Sequence, residues 1–370
     1  MSSRARVVAA ALASLSLLLT LPGGAARAQS SYAFRNLGTL GGDGSCAFGA
    51  NAAGRVVGES RYAKNNGYFH AFFWKAGATD GVGSNPQMKD LGHFPGGAES
   101  HAYAVNSLDE VVGSATGLFG GRVAPRAFVW RNDGAGLVDL NTLLSPADAA
   151  NWVLTHARDV NDRRQVVGSG TYLPAGQTRA FRLDLATGVL ADLGASDRLR
   201  SSNAYAISDG DVPFVAGAAN VEGAGQGVFF ADGAVVTLGV QLAYDVNAAG
   251  EVAGVVAGAG YSSVAAYRDA AGRVANLGTF GGTASRATSI NEPPSGGHGR
   301  FVVGWAHNAG EVPYAFRWKA GSAEPLQYLG SVTPGAKASL MQANKITDNG
   351  LIVGYARVNN ASRAYLLTPQ

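Results

Sequence analysis

Cysteine is almost absent from this chain of 370 residues, and Cys46 is the only one. A single cysteine excludes an internal disulfide, so stability has to come from burial of the 46% of residues that are hydrophobic. Charged residues are also few, at 15%, whereas glycine is abundant, with 52 residues. This composition argues against a helical bundle and favours a turn-rich β protein.

Long apolar runs are missing beyond the N-terminus. Residues 1–28 have the pattern of a signal peptide, in which Arg4 and Arg6 form a basic start, 7–21 an apolar stretch and Ala26-Arg27-Ala28 a small-residue cleavage site. The apolar stretch is shorter than the roughly 20 residues that cross a bilayer. We therefore expect an exported chain, extracellular or periplasmic, that begins at Gln29 and has no membrane span.

Runs of basic residues are absent as well. The formal net charge of +3 falls to zero once the three arginines of the signal peptide are removed, and the other Lys and Arg residues are scattered singly. Nucleic-acid binders show a basic patch, and anionic membranes attract basic clusters. We expect neither partner, and we expect a monomer.

Common catalytic and cofactor motifs are missing too. The six histidines lack metal-ligand spacing, and neither a phosphate-binding loop nor a Gly-x-Ser-x-Gly elbow occurs. Cys46 is too isolated to be identified as a nucleophile. We expect no metal and no cofactor.

The chain does contain an internal repeat with a period of about 37 to 55 residues, which is typical of blade-like units. Val-Val-Gly or a close variant ends at Gly58, Gly113, Gly168, Gly217, Gly254, Gly304 and Gly354. Upstream lies the pattern Ala-x-x-(Val/Ile)-Asn or a relative, which begins at Ala47, Ala102, Ala157, Ala204, Ala243, Ala287 and Ala343. Downstream, each unit has a small residue followed by an aromatic, and every unit except the last then has a Leu-Gly or related segment.

These segments predict four short strands per unit, because they are β-branched or aromatic and are bounded by turn residues. Tight turns such as Asn51-Ala-Ala-Gly54, Asp232-Gly233 and Ala271-Gly272 predict antiparallel hairpins. One such sheet is too thin to bury its own side chains, but copies stacked around an axis bury both faces.

The two ends of the chain predict a closed ring. Residues 32–38 supply a spare Leu-Gly strand before the first full unit, while the last unit lacks one. We therefore predict an all-β fold: a seven-bladed β-propeller of four-stranded antiparallel blades, closed by the N-terminal strand. The predicted domain spans 29–370, with blades at about 46–92, 100–140, 155–194, 202–239, 242–278, 285–330, and 341–368 plus 32–38.

The long connections lie at the end opposite the tight turns if the strands alternate in direction, and loops on a rigid scaffold are where function concentrates. We expect irregular loops there at 59–69, 114–125, 141–155, 170–178 and 306–313. The residue before the Ala of each first strand differs around the ring, and these residues form a predicted rim at Cys46, His101, His156, Asn203, Leu242, Arg286 and Gln342. We predict that all of them except Leu242 bind the ligand. Exposure to water alone is the alternative interpretation of these side chains.

Two residues after the repeated Ala of the first strand, most units have a small residue, but three have a charged one, at Asp159, Asp245 and Lys345. A pair of carboxylates can catalyse glycoside hydrolysis, so Asp159 and Asp245 are weak catalytic candidates, with solvated channel charges as the alternative. Before the small-aromatic pair, His70, Arg126, Arg179 and Arg363 are secondary candidates for holding an anionic ligand. Covering apolar neighbours is the competing role for these long side chains.

The segments His70-Ala71-Phe72-Phe73-Trp74 and Leu37-Gly38-Thr39-Leu40-Gly41-Gly42, together with the Val-Val-Gly units, resemble the bacterial extracellular repeats named for a His-Ala-Phe tripeptide. The resemblance covers nearly all of 29–370 and is strongest in the first, second and sixth units. It implies secretion and a repeat fold, and it supplies no catalytic residues.

Two functions follow as hypotheses. The first is a non-enzymatic exported scaffold that binds a polysaccharide or a cell-surface protein through its loop-rich face. The second is a propeller glycoside hydrolase or polysaccharide lyase with its site at the central channel.

Overall fold

The computed structural model describes residues 31–63, 67–196, 198–231, 234–260, 262–292 and 299–370. The predicted signal peptide and the Asp232-Gly233 turn lie outside these residues. Within them, no helix is long and apolar enough to cross a membrane.

Twenty-eight strands and three short helices make up the described parts of the chain. The N-terminal strand is β1 (Tyr32–Gly38). Blade 1 contains β2 (Ser45–Ala50), β3 (Val56–Arg61), β4 (Phe69–Trp74) and β5 (Met88–Asp90). Blade 2 contains β6 (Ser100–Val105), β7 (Val111–Phe119), β8 (Arg122–Trp130) and β9 (Leu137–Asp139). A 3₁₀ turn (Leu140–Leu143) and α1 (Pro146–Asn151) lead to blade 3, with β10 (Trp152–Val160), β11 (Gln165–Tyr172), β12 (Gln177–Asp184) and β13 (Leu190–Asp192).

The remaining blades repeat this order. Blade 4 contains β14 (Leu199–Ile207), β15 (Val215–Val221), β16 (Ala224–Ala231) and β17 (Ala234–Thr237). Blade 5 contains β18 (Leu242–Val246), β19 (Val252–Ala257), β20 (Ser263–Arg268) and β21 (Val274–Gly278). Blade 6 contains β22 (Gly281–Ile290), β23 (Phe301–Asn308), β24 (Pro313–Lys319) and β25 (Gln327–Tyr328), and a second 3₁₀ turn (Leu329–Val332) precedes β26 (Ser339–Ile346), β27 (Ile352–Val358) and β28 (Ala361–Pro369) of blade 7.

Each blade is a four-stranded antiparallel sheet whose strands follow one another in chain order, and the seven blades form a ring. The predicted seven-bladed β-propeller is therefore confirmed. The first strand of every blade contacts the first strands of its two neighbours, which places these seven strands around the central channel.

Closure follows the prediction from the chain ends. Strand β1 pairs antiparallel with β28, with Tyr32 opposite Pro369 and Asn36 opposite Tyr365. Blade 7 thus takes three strands from the C-terminus and one from the N-terminus. Tyr32 and Leu37 of β1 are buried, so closure adds apolar burial to backbone pairing.

The repeated Asn that ends the first strand links neighbouring blades. The carboxamide oxygen of Asn106 accepts hydrogen bonds from the N–H groups of Leu108 and Glu110 within its own turn. Its Nδ2 donates to the carbonyl oxygen of Asn161, the equivalent residue of the next blade. The same bond to the equivalent residue of the next blade forms from Asn51, Asn161 and Asn247. We call these side chains the Asn latches.

The connections on the other end of the ring differ from the irregular loops that were expected. Strands β7 and β8 continue through 114–125 and leave only Gly120 and Gly121 between them. Strands also occupy five of the nine residues of 170–178 and half of 306–313. These connections are long hairpins because the backbone keeps pairing beyond the body of the blade. The segment 141–155 contains most of the first 3₁₀ turn, then α1, and its last four residues begin β10.

Candidate functional site

A β-bulge occurs at the same place in the first strand of all seven blades. In blade 1, Ala47 pairs with Gly58 and Gly49 with Val57, so that Phe48 is the extra residue. A bulge leaves one residue out of the ladder and re-aims its side chain. The extra residues, which we call the bulge ring, are Phe48, Tyr103, Arg158, Tyr205, Tyr244, Thr288 and Asn344, and all of them line the channel.

The pairing of the first two strands explains why Val-Val-Gly ends in glycine. It lies opposite the Ala of the first strand, and a Cβ built on it would overlap the carbonyl oxygen of the residue before that Ala. The overlap recurs in every blade, from Cys46 facing Gly58 to Gln342 facing Gly354. The repeat therefore encodes close contact between the first two strands of each blade.

The predicted rim residues form a second ring on the bulge ring, towards the end that carries the long hairpins. His101 stacks on Tyr103 with ring centroids 6.2 Å apart, and Gln342 donates to Asn344 at 2.7 Å. Asn344 in turn contacts the sulfur of Cys46 at 3.4 Å. All seven rim side chains are half-buried and alternate with fully buried alanines. We call this end of the ring the rim face.

Three rim side chains have surroundings that bear on their chemistry. His101 Nδ1 lies 2.6 Å from Glu59 Oε2, so this imidazole has a carboxylate partner. Burial, with the charges of Arg158 and His101, lowers the pKa of His156 to about 4, which keeps it neutral near pH 7. Burial and Glu59 raise the pKa of Cys46, so the thiol is not activated as a nucleophile.

The catalytic candidates Asp159 and Asp245 line the channel but are committed to backbone contacts. Asp159 accepts from the N–H of Ile207 in the next blade at 2.9 Å. Asp245 accepts from Ser289 Oγ at 2.6 Å and from the N–H of Ile290 at 3.0 Å. Both carboxylates therefore join adjacent first strands.

Lys345 connects this pair electrostatically. Its Nζ lies 3.0 Å from Asp245 Oδ2. Burial opposes the ammonium charge, but Asp245 and Asp159 outweigh it and raise the pKa of Lys345. Burial, opposed by Lys345 and reinforced by Asp245, raises the pKa of Asp159 to about 7.

The secondary candidates all have partners within the protein, although His70 Nε2 and Arg179 Nε are buried without one. His70 Nδ1 lies 3.0 Å from Asp90, and Arg179 binds Asp192 at 2.7 Å. Arg126 lies 3.8 Å from Asp139, and Arg363 donates to the carbonyl oxygen of Asp43 at 2.7 Å. Three of the four thus pair with an Asp on the outermost strand of their own blade, as a structural role requires.

A cavity of about 250 Å³ runs from the bulge ring to the tight-turn end of the channel. Its turn-end lining includes four acidic residues, Asp162, Asp209, Glu292 and Asp348, each of which accepts from a backbone N–H of the preceding blade. Burial, opposed by the N–H of Ala248 and reinforced by Asp348 and Asp209, raises the pKa of Glu292 to about 7. Among the described residues, no group of His, Cys, Asp and Glu is arranged to hold a metal.

Sequence reasoning missed the bulge ring, including Arg158. The available signal was an aromatic residue directly after the Ala of the first strand, at Phe48, Tyr103, Tyr205 and Tyr244. In a regular strand, alternate side chains share a face, so His156 and Arg158 would both point to the channel without a bulge. The bulge adds the following residue, Asp159, to the same face.

No family model matches the chain, and no curated protein does. Similar solved structures include a Dos1 propeller (8% identity, 91% of this chain and 95% of that chain, TM-score 0.48). They also include TolB from Acinetobacter baumannii (11%, 82% and 60%, TM-score 0.40) and a GH74 enzyme from Niastella koreensis (11%, 91% and 43%, TM-score 0.43). The chain thus spans less than two thirds of TolB and of the GH74 enzyme. At this level of similarity none of the three bears on function, and the resemblance to His-Ala-Phe repeats stays a prediction.

Proposed function

We propose that this protein is an exported, non-enzymatic scaffold that binds a polysaccharide or a cell-surface protein at the rim face. The observation that supports this best is the layered mouth of the channel, where polar rim side chains that differ from blade to blade lie on a floor of bulge-ring aromatics. A ligand without sevenfold symmetry needs such varied contacts, and a rigid propeller holds them in place.

A glycan array probed with the purified protein tests this proposal. A triple variant removes three rim contacts: His101→Ala, His156→Ala and Arg286→Ala. It should no longer bind any glycan of the array that the wild-type protein binds. The control, Lys89→Ala with Arg273→Ala, removes exposed ion pairs outside the channel and should leave binding unchanged. Undiminished binding by the triple variant would refute the rim as the site.

A channel-centred glycoside hydrolase or lyase is the second candidate, and the pKa of Asp159 near 7 favours it, because a general acid must hold its proton near neutral pH. Against it stand the backbone bonds that both carboxylates already accept. Reducing ends released from an array-positive glycan by the wild type, and lost in Asp159→Asn, would support the enzyme. If no reducing ends are released within a day, the enzyme is excluded and the non-enzymatic scaffold remains as the proposed function.

A further inference from the structure

Two arginines at the rim face lack the partners that other half-buried arginines have. Arg126, Arg164 and Arg179 each lie beside a carboxylate. Within the described residues, the guanidinium groups of Arg158 and Arg286 form no hydrogen bond and no ion pair, and the Nε of Arg286 is buried without a partner. A guanidinium has five N–H donors, so both groups have donors that can serve an anionic acceptor.

Aromatic rings hold both guanidinium groups in position. The Cζ atom of Arg158 lies 4.5 Å from the ring centroid of Tyr103. That of Arg286 lies 4.8 Å from the Tyr244 ring and 5.7 Å from the Trp305 ring, while its Nε is buried without a partner. Stacking of this kind orients a guanidinium and leaves its in-plane donors available to a carboxylate.

Carboxylates are absent from the mouth itself but occur at the next position of the first strands. No Asp or Glu belongs to the rim or to the bulge ring, and Glu59 is paired with His101. Asp159 and Asp245, one position beyond the bulge ring, accept bonds from backbone N–H groups, and Asp245 also pairs with Lys345. After burial, the charges of Arg158 and His101 are what lower the pKa of His156 to about 4, so the mouth resists further positive charge.

The placement of the two arginines favours an extended ligand. Arg158 belongs to blade 3 and Arg286 to blade 6, so they lie on opposite sides of a seven-membered ring. A polymer with repeated carboxylates can engage both. Protein ligands usually anchor on apolar pockets, but Leu242 is the only aliphatic residue of the rim. The half-buried ring of Tyr205, over which no guanidinium of the described residues lies, offers an aromatic surface against which a sugar ring can pack.

We infer that the mouth of the channel binds a carboxylated polysaccharide, with its carboxylates on Arg158 and Arg286 and a sugar ring against Tyr205. This inference rests on the proposed scaffold function and names its ligand class. Charge-assisted bonds from a guanidinium are strong enough that loss of either arginine should weaken binding about tenfold or more.

Calorimetric titration of the full protein with oligogalacturonate, alginate and hyaluronan tests it. At least one should bind, and its methyl ester should bind at least tenfold more weakly. Arg158→Gln and Arg286→Gln should each weaken binding about tenfold, with Arg286→Lys between Gln and wild type. Arg35→Gln, an exposed change on the outermost strand β1, is the matched control and should bind as wild type does.

The outcomes distinguish a failure of the ligand assignment from a failure of the scaffold function. Equal affinity for acid and ester, or tighter binding of polyglutamate than of every carboxylated glycan, would overturn the inference. Rim-dependent binding of a neutral glycan alone would overturn it and leave the scaffold function standing. Binding of nothing on the array or in the titrations would overturn the inference together with the polysaccharide-binding form of the scaffold function. The ester comparison uses wild-type protein, so it decides the matter even where an arginine variant fails to fold.

Discussion

Replacement of Asn106 by Ala should destabilise the propeller by about 2 to 4 kcal/mol. Asn106 is 3% exposed and accepts from the N–H groups of Leu108 and Glu110 while it donates to Asn161 O in the next blade. Alanine leaves these backbone groups without partners, and each buried loss costs about 1 to 3 kcal/mol, less where the turn admits water.

Urea unfolding followed by far-UV circular dichroism measures this loss. The midpoint should fall by about 1 M at an unchanged slope, since the folded and unfolded surfaces stay the same. Asn106→Thr should recover about half of the loss, because Thr347 fills the same position in blade 7 and its Oγ accepts from the N–H of Leu351 at 3.0 Å.

Ser107→Ala is the control, since Ser107 is exposed in the same turn, and it should stay within about 0.5 kcal/mol of wild type. A loss below about 0.5 kcal/mol in Asn106→Ala would refute the latch. Equal losses in the Ala and Thr variants would refute the backbone N–H groups as its cause.

Three further predictions concern the strand contacts, the closure and pH. Gly58→Ala places a Cβ on the carbonyl oxygen of Cys46 and should sharply reduce the yield of folded protein. In the control Gly44→Ala the added Cβ meets no other atom, so this variant should fold normally. Soluble yield and circular dichroism measure both effects, and an equal yield of the two variants would contradict the prediction. Leu37→Ala in the closing strand should cost about 2 to 5 kcal/mol in urea unfolding, and a loss under about 1 kcal/mol would contradict its buried role. The pKa of His156 is lowered from 6.5 to about 4 in the folded protein, so the unfolded chain takes up the proton first as the pH falls. The free energy of unfolding should therefore decrease between about pH 6.5 and pH 4. His156→Gln should weaken this pH dependence, and an unchanged pH dependence would exclude His156 as its source.

The fold was predictable because seven copies of one pattern constrain each other. Any single Val-Val-Gly or Ala-x-x-Val-Asn segment is a weak strand signal, but their fixed order predicts a blade, and the surplus strand at 32–38 predicts closure. The interactions between blades were not predictable. Asp159 looked like a free channel charge because its partner, the N–H of Ile207, belongs to the next unit.

The candidate site was predictable only in part. The rim was found because it varies where its neighbours repeat, but a bulge depends on strand pairing and shifts every later side chain by one. The shift is what turns Asp159 and its equivalents into the channel, whereas Arg158 faces it in either case and went unnoticed because four of the seven residues at its position are aromatic. The pairing of Arg179 with Asp192 had a signal in the sequence, since an Asp precedes the closing Leu of units 1 to 3, at Asp90, Asp139 and Asp192.

Ring closure also determines the order in which the molecule can be completed. Strand β1 is the first described strand to be synthesised, yet its partner β28 is the last, more than three hundred residues later. Contacts so distant in sequence form slowly, and until they form, the edge of β28 stays unpaired and open to association with other chains. Blades 1 to 6 can assemble as the chain emerges, but the seventh has to wait for the whole polypeptide. Removal of β1 leaves the edge of β28 exposed, and removal of β28 leaves β27 and β1 without their partner.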